Sequence, residues 1–138
     1  MSTFVADSSL AIAWFVPSQR TDDTDALLSS IEGGTSFVVP LLWTFEVANV
    51  LLTLSRRQRL KVDQYQFARR NLANLRPVVD QEGATRALNI IIDLAEKHSL
   101  SVYEATYLEV AMRMGLPLAS RDKALNKAAK ASGVSALL

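Results

Sequence analysis

The sequence has 138 residues, of which 49% are hydrophobic and 21% charged, and its formal net charge is +1 at pH 7. This length and composition suit one globular domain with its own apolar core, so residues 1–138 are predicted to form a single domain. The near-zero charge gives no overall basic surface for nucleic acid, and the absence of cysteine excludes disulfides, thiolate nucleophiles and cysteine-bound zinc.

Apolar periodicity and turn residues predict strands that alternate with helices along the chain. Pro17 stops the first helix, and Gly33 and Gly34 follow the second. The predicted elements are, in chain order, strand 4–6, helices 10–16 and 21–32, strand 36–39, helices 42–55 and 63–75, strand 77–79, helices 82–98 and 102–114, strand 118–120 and helix 121–131. Residues 134–136 are expected to close the sheet.

The alternation of strands and helices predicts an α/β sandwich. Its strands are short and apolar enough to be covered on both faces, which is typical of a parallel sheet. Ligands of such sheets bind beyond the carboxyl ends of the strands, where the strand order reverses. Asp7 directly ends the first strand and Asp122 follows the strand at 118–120. Both acids are therefore expected at this edge of the sheet.

Glu46 lies within the mostly apolar helix at 42–55. The apolar residues wrap most of this helix, which indicates that it is largely buried. A buried carboxylate needs a compensating partner, and a cation is one such partner. The alternative is that Glu46 and its polar neighbours Asn49 and Thr53 form a narrow stripe that faces solvent.

The other acids also have ordinary structural explanations. Ser101 and Glu104 have the spacing of a capping box at the start of a helix. Asp7 and Asp122 each stand where a carboxylate can cap the helix that follows. Each acid alone is thus explained without a site, and only their joint arrangement indicates a function.

Four segments of the chain carry that joint arrangement. They are 4–9 (FVADSS), 46–51 (EVANVL), 101–108 (SVYEATYL) and 118–125 (LASRDKAL). In this order and spacing, the sequence resembles the PIN-domain ribonucleases of the VapC toxin group along nearly its whole length. One departure is Glu104, because the third segment of that family usually carries aspartate. The additional methylene displaces the carboxylate by roughly one C–C bond, whereas metal–ligand distances vary by only a few tenths of an ångström.

The resemblance implies a three-layer α/β/α PIN-like domain, with a central parallel sheet of four to five strands, that acts as a metal-dependent endoribonuclease. The implied catalytic residues are Asp7, Glu46, Glu104 and Asp122. Of these, Asp7, Glu104 and Asp122 are expected to bind metal, and Glu46 to bind or orient the attacking water. Carboxylate oxygens without histidine or thiolate suit Mg²⁺ or Mn²⁺ better than zinc. Ser9, Asn49 and Ser120 are expected to form hydrogen bonds at the site without binding the metal themselves.

Basic residues predict where RNA could bind. Arg56, Arg57 and Arg59 follow the glutamate helix, and Lys123 follows Asp122. The alternative is a solvated helix face at each place. His98 is the single histidine, so a paired-histidine ribonuclease mechanism is excluded and a helix-end role is predicted.

The resemblance also implies partners: an RNA substrate, a cognate antitoxin that covers the site, and a second copy in a homodimer. No apolar run approaches the roughly 18 residues of a membrane span, so we expect a cytoplasmic protein without membrane contact. One alternative is a catalytically impaired PIN-like module that binds RNA or a protein. Another is a phospho-acceptor receiver or a haloacid-dehalogenase-like phosphatase. Against this second alternative, no acidic pair precedes Asp7, and the segment 7–9 lacks the second aspartate of the phosphatase motif.

Overall fold

Four short parallel strands form the centre of the fold. The structure is a computed structural model, and it describes residues 3–138. The strands are β1 (Phe4–Ala6), β2 (Phe37–Pro40), β3 (Val78–Asp80) and β4 (Leu118–Ala119), and their order across the sheet is β3-β2-β1-β4. Ala136 bridges in parallel to Leu118, so the end of the chain extends the sheet beside β4. The predicted parallel sheet of four to five strands is confirmed.

Helices cover both faces of this sheet. On one side α1 contacts α2, α3 and α4, and on the other α7 contacts three strands together with α6 and α8. This gives the predicted three-layer α/β/α arrangement. Within residues 3–138, no helix is both long and apolar enough to cross a bilayer. The helices are α1 (Ser8–Phe15), α2 (Asp22–Glu32), α3 (Leu42–Arg56), α4 (Val62–Asn74), α5 (Gly83–Arg86), α6 (Ile92–His98), α7 (Val102–Met114) and α8 (Lys123–Ala131).

An aromatic cluster fixes the first helical layer onto the sheet. The ring of Phe37 on β2 meets Trp14 of α1 edge-on at a centroid distance of 5.6 Å, and Trp43 of α3 at 6.1 Å. Trp14 also donates its indole N–H to the carbonyl oxygen of Thr24 at 2.9 Å. Both tryptophans are buried, as expected for core residues. The cluster holds α1 and α3, which carry Asp7 and Glu46, in fixed positions over β1 and β2.

The predicted element ends lie within two residues of the observed ones, but the helix predicted at 82–98 is not uniform. A π-helical turn at Ala87–Ile91 separates α5 from α6. The side chain of Asn89 accepts a hydrogen bond from the backbone N–H of Ile90 at 2.6 Å, which competes with the regular helical hydrogen bonds. The extra residue shifts the helical phase, so that Ile91 is buried while Leu88 is exposed.

Two expectations about burial are wrong. The helix α3 is not largely buried, because only Trp43, Val47 and Leu51 face the core while Phe45 is 73% exposed. The strand β3 is not covered on both faces, because it forms the edge of the described sheet and its valines are exposed. Both elements carry exposed apolar side chains. The apolar sequence pattern there corresponds to an uncovered surface instead of core.

A buried ion cluster ties α7 to the end of β3. Arg113 contacts Asp80 at 2.8 Å, Glu109 at 2.9 Å and Glu82 at 2.8 Å. The carboxylates of Asp80 and Glu109 are almost inaccessible to solvent, so each needs the guanidinium as its compensating charge. The pairing with Arg113 explains why Asp80 and Glu109 can be buried as charged groups. It distinguishes them from the acids at the ends of β1 and β4, which have no such partner in the described part of the chain.

Candidate active site

Asp7 lies at the carboxyl end of β1, directly beside β4. Its backbone N–H donates to the carbonyl oxygen of Ala119 at 3.2 Å. Its side chain caps α1 by accepting from the N–H of Leu10 at 3.2 Å, and it accepts from the hydroxyl of Ser9 at 2.7 Å. The hydroxyl of Ser120 donates to the second carboxylate oxygen at 2.6 Å. A carboxylate that is only 6% exposed thus has three donors.

These donors do not fully offset the cost of burying Asp7. Burial raises the pKa of this carboxyl, and the hydrogen bonds from Ser120, Ser9 and the Leu10 N–H lower it. The negative charge of Asp122 raises the pKa again, and the net direction is upward. The folded protein therefore holds Asp7 in an environment that lacks positive charge.

Ser120 joins Asp7 to Asp122. Its hydroxyl donates to Asp7 and accepts from the backbone N–H of Asp122 at 2.9 Å, and the residue is completely buried. Asp122 in turn caps α8 by accepting from the N–H of Leu125 at 2.8 Å. The chain order of the sheet reverses between β1 and β4, so these two acids meet at the edge where the fold predicts a ligand.

Glu46 is half-buried on the second turn of α3 and faces α7. One oxygen of its carboxylate accepts a hydrogen bond from the phenol of Tyr107 at 2.6 Å. Burial raises the pKa of Glu46, the hydrogen bond from Tyr107 lowers it, and the charges of Asp7 and Glu104 raise it further. Glu46 is therefore close enough to both acids to be repelled by them.

Glu104 is engaged in the capping box that the sequence predicts. Its carboxylate accepts from the backbone N–H of Ser101 at 2.8 Å, and the hydroxyl of Ser101 accepts from the N–H of Glu104 at 3.0 Å. The negative charge of Glu104 nevertheless contributes to the raised pKa of Glu46. Capping is thus confirmed, and a metal-binding role for Glu104 stays a prediction.

The three residues that were predicted to form hydrogen bonds around the metal-binding acids divide into two groups. Ser9 and Ser120 both contact the Asp7 carboxylate, and Ser9 also accepts from the backbone N–H of Arg121 at 3.1 Å. Asn49 is exposed on α3 and forms no hydrogen bond with another residue in the described part of the chain. The structure therefore brings the two serines, but not Asn49, into contact with an acid.

The predicted basic residues are all exposed but lie at different distances from the acids. Lys123 directly follows Asp122 at the start of α8. Arg56 lies ten residues after Glu46, which is about 15 Å along the helix at the usual rise per residue. Arg57 and Arg59 follow it at the far end of α3. Only Lys123 is near the acids.

Whether these residues fit a divalent cation depends on donor chemistry and on placement. The donor chemistry fits, because the site offers carboxylate oxygens that repel one another and lack a positive partner. The placement is open: among residues 3–138, no three acidic or histidine side chains converge as a ready metal-binding group. Asp122 and Glu104 instead direct an oxygen to the start of their own helices.

An apolar groove of about 320 Å³ lies beside the acids. Its walls include Phe45 and Tyr103, which directly precede Glu46 and Glu104 in the chain, together with Leu41 and Val102. All four side chains are exposed. The exposed face of α3 noted above is thus one wall of a groove that borders the candidate site.

A model of the PIN domain family matches residues 4–131 of this chain. The chain belongs to the PIN-domain family. Ribonuclease VapC3 of Pyrobaculum aerophilum is 27% identical to this PIN domain over 121 residues, which are 88% of this chain and 90% of that protein. The family resemblance inferred from the four sequence segments is confirmed.

Solved structures with the same fold are more distant in sequence. PAE2754 from Pyrobaculum aerophilum superimposes with a TM-score of 0.70 at 19% identity, covering 99% of this chain and 84% of that chain. FitAcB from Neisseria gonorrhoeae gives a TM-score of 0.64 at 17% identity, with 99% and 96% covered. A toxin-antitoxin complex from Klebsiella pneumoniae gives 0.53 at 18% identity, with 86% of each chain covered. These similarities establish the fold.

Two residues of the site of this PIN domain were not predicted from the sequence. Tyr107 stands 61 positions from Glu46, and no local pattern reports a contact over that separation. Asn126 donates from its side-chain amide to the carbonyl oxygen of Ser120 at 2.9 Å. This hydrogen bond fixes the segment from Ser120 to Asn126, which contains Asp122. The position of Asn126 one turn into the helix after Asp122 was the available signal.

The upward pKa shift of Asp7 predicts how its removal changes stability with pH. Because the pKa of Asp7 is raised, the folded state keeps the Asp7 proton to a higher pH than the unfolded state does. The contribution of protonated Asp7 to the free energy of unfolding is therefore fully present below the pKa that Asp7 has in the unfolded chain. It is lost as the pH rises through the pKa that Asp7 has in the folded protein. In EDTA, we expect urea unfolding to give an Asp7→Asn variant whose stability relative to wild type increases as pH rises from about 4 to 7.

The matched control is Asp93→Asn, because Asp93 is exposed and lies outside the site. Its stability relative to wild type should stay flat over the same pH range. A flat difference for Asp7→Asn as well would mean that Asp7 ionises as freely in the folded state as in the unfolded one.

Proposed function

We propose that this PIN domain is a Mg²⁺- or Mn²⁺-dependent endoribonuclease and the toxin of a toxin-antitoxin pair. The observation that carries the proposal is the position of Asp7, buried at the reversal point of the sheet and repelled by Asp122. Glu46 extends this group because both Asp7 and Glu104 repel it. The name of the relative from Pyrobaculum aerophilum, Ribonuclease VapC3, supports RNA as substrate.

The residues divide the chemistry of phosphodiester hydrolysis among them. Asp7, Glu104 and Asp122 would hold the cation. Glu46 would orient a water molecule and accept its proton as the water oxygen bonds to phosphorus and the P–O bond to the leaving oxygen breaks. A bound Mg²⁺ or Mn²⁺ would supply positive charge that stabilises the negative charge developing on the phosphodiester. Ser9 and Ser120 fix the orientation of Asp7 through their hydroxyls.

The surface around the acids supports RNA and protein partners. Lys123 stands next to Asp122 and can pair with a backbone phosphate, while Arg56, Arg57 and Arg59 offer a second basic patch at the far end of α3. The groove beside Phe45 suits an apolar segment of an antitoxin, because its lining is largely apolar and includes the exposed side chains of Leu41, Phe45, Val102 and Tyr103. The similarity to a chain of a toxin-antitoxin complex is in keeping with this partner. A homodimer through exposed apolar helix faces is part of the proposal.

One observation favours the second candidate, a PIN-like module impaired in catalysis. Glu104 replaces the aspartate usual in the family and is engaged as a helix cap. If this capping contact excludes Glu104 from the cation, the site keeps only Asp7, Glu46 and Asp122. The two candidates differ in whether RNA is cleaved, and the following experiments separate them.

The direct test is cleavage of an RNA with single-stranded loops by the purified chain. We expect cleavage with Mg²⁺ or Mn²⁺, its loss in EDTA, and a rate decrease on the order of a hundredfold or more for Asp7→Asn, because the buried charge that holds the cation is removed. Products resolved on a denaturing gel give the rate and the cleavage positions.

Asp93→Asn is the control and should cleave like wild type. Expression of the wild-type chain, and not of Asp7→Asn, should arrest growth of a bacterial host. Cleavage that persists in EDTA or in Asp7→Asn would contradict the metal-dependent mechanism, and an intact RNA under all conditions would favour the impaired module.

A second experiment separates the capping role of Glu104 from its role toward the cation. Glutamine keeps the carbonyl oxygen that accepts from Ser101, so Glu104→Gln preserves the capping box and removes only the charge. We expect an unchanged unfolding midpoint and an increase of roughly tenfold or more in the Mg²⁺ concentration for half-maximal cleavage.

Glu104→Ala is the matched comparison, because it removes the charge and the cap together. It should show the same loss of cleavage and in addition lose about 1 kcal/mol of stability. A Glu104→Gln variant that cleaves RNA like wild type would assign Glu104 to capping alone.

A further inference from the structure

Tyr107 connects two helices that carry acids of the candidate site. It lies on α7, one turn after Glu104, and its side chain is 2% exposed. Its phenol donates to one oxygen of the Glu46 carboxylate on α3 at 2.6 Å. This is a short hydrogen bond to a charged acceptor, the stronger class of hydrogen bond in proteins.

The phenol can act only as a donor toward Glu46. Burial raises the pKa of Tyr107 far above its ordinary value, and the hydrogen bond to Glu46 and the charges of Glu46 and Asp7 raise it further. The proton therefore stays on the phenol at every physiological pH. Tyr107 is thus a fixed, neutral donor and takes no part in proton transfer.

Glu46 needs such a donor to stay where it is. Asp7 and Glu104 both repel its carboxylate, and the residue is only half-buried, so solvent is accessible to a rotated side chain. Tyr107 is the one hydrogen-bond partner of this carboxylate among the described residues. The contact uses one oxygen and leaves the other without a hydrogen-bond partner among residues 3–138.

We propose that Tyr107 is a positioning residue, whose hydroxyl holds the Glu46 carboxylate at the site against repulsion by Asp7 and Glu104. This inference rests on the proposed ribonuclease function, in which Glu46 orients the attacking water. Tyr107 contributes to cleavage only through Glu46 and does not touch the RNA. The opposing interpretation is a core tyrosine whose hydroxyl has merely found an acceptor.

A double-mutant cycle distinguishes these interpretations. Tyr107→Phe removes only the hydroxyl, and we expect a decrease in kcat of roughly tenfold or more with KM for RNA changed less than about twofold. In a Glu46→Ala background, Tyr107→Phe should cause no further decrease in kcat, because the carboxylate through which Tyr107 acts is absent. Equal losses in both backgrounds, or none in either, would overturn the proposal.

The matched control is Tyr65→Phe on α4. Tyr65 is partly buried like a core tyrosine, and its hydroxyl has no hydrogen-bond partner among the described residues. Its kcat and KM should equal those of wild type. Circular dichroism and thermal unfolding of every variant establish that the chains compared are folded.

A spectroscopic measurement tests the contact without any need for cleavage. The chain has three tyrosines, so tyrosine labelled with ¹³C at Cζ gives three resonances, and the one lost in Tyr107→Phe is that of Tyr107. Glu46→Ala should shift this resonance and leave that of Tyr65 in place. An unshifted Tyr107 resonance would overturn the proposal, whereas a shifted resonance in a wild-type chain that cleaves no RNA would overturn the proposed function instead.

Discussion

The burial of one carboxylate, that of Asp7, is the constraint on which the candidate site depends. The parallel pairing of β1 with β4 places Asp7 against Ala119 and Ser120, and α1 then begins with Asp7 as its cap. Every donor around it is neutral, so the carboxylate is held in place while its charge stays uncompensated. Asp122 and Glu46 add negative charge nearby. The resulting concentration of negative charge at one edge of the sheet is the property that a divalent cation would satisfy.

The acids serve two purposes because of where the helices begin. In a parallel α/β fold the helices that follow the strands start at the carboxyl edge of the sheet, and their free N–H groups favour carboxylates there. Asp7 caps α1, Asp122 caps α8 and Glu104 closes the capping box of α7. Capping fixes these side chains before any ligand binds. The structural explanation of each acid and its proposed function are therefore compatible, since the hydrogen bond from Ser101 uses only one oxygen of the Glu104 carboxylate.

Local patterns were sufficient to predict most of the fold. Strands alternating with helices indicated a parallel sheet covered on both faces, and Asp7 and Asp122 could be placed because strand ends converge in such a sheet. The patterns failed where tertiary contacts decide the outcome. Apolar residues of α3 and β3 that resembled core are exposed, because no described element covers them. The contact between Tyr107 and Glu46 joins distant parts of the chain, and the π turn coincides with a hydrogen bond from the N–H of Ile90 to the side chain of Asn89.

The central claim is that the uncompensated charge of Asp7 binds a divalent cation. Titration of the metal-free protein with Mn²⁺, followed by electron paramagnetic resonance of the free ion, measures this directly and needs no RNA. We predict saturable binding by the wild-type chain and by Asp93→Asn, and affinity weakened by at least roughly tenfold in Asp7→Asn. Equal Mn²⁺ binding by wild type and Asp7→Asn would contradict the claim and leave Asp7 as a helix cap.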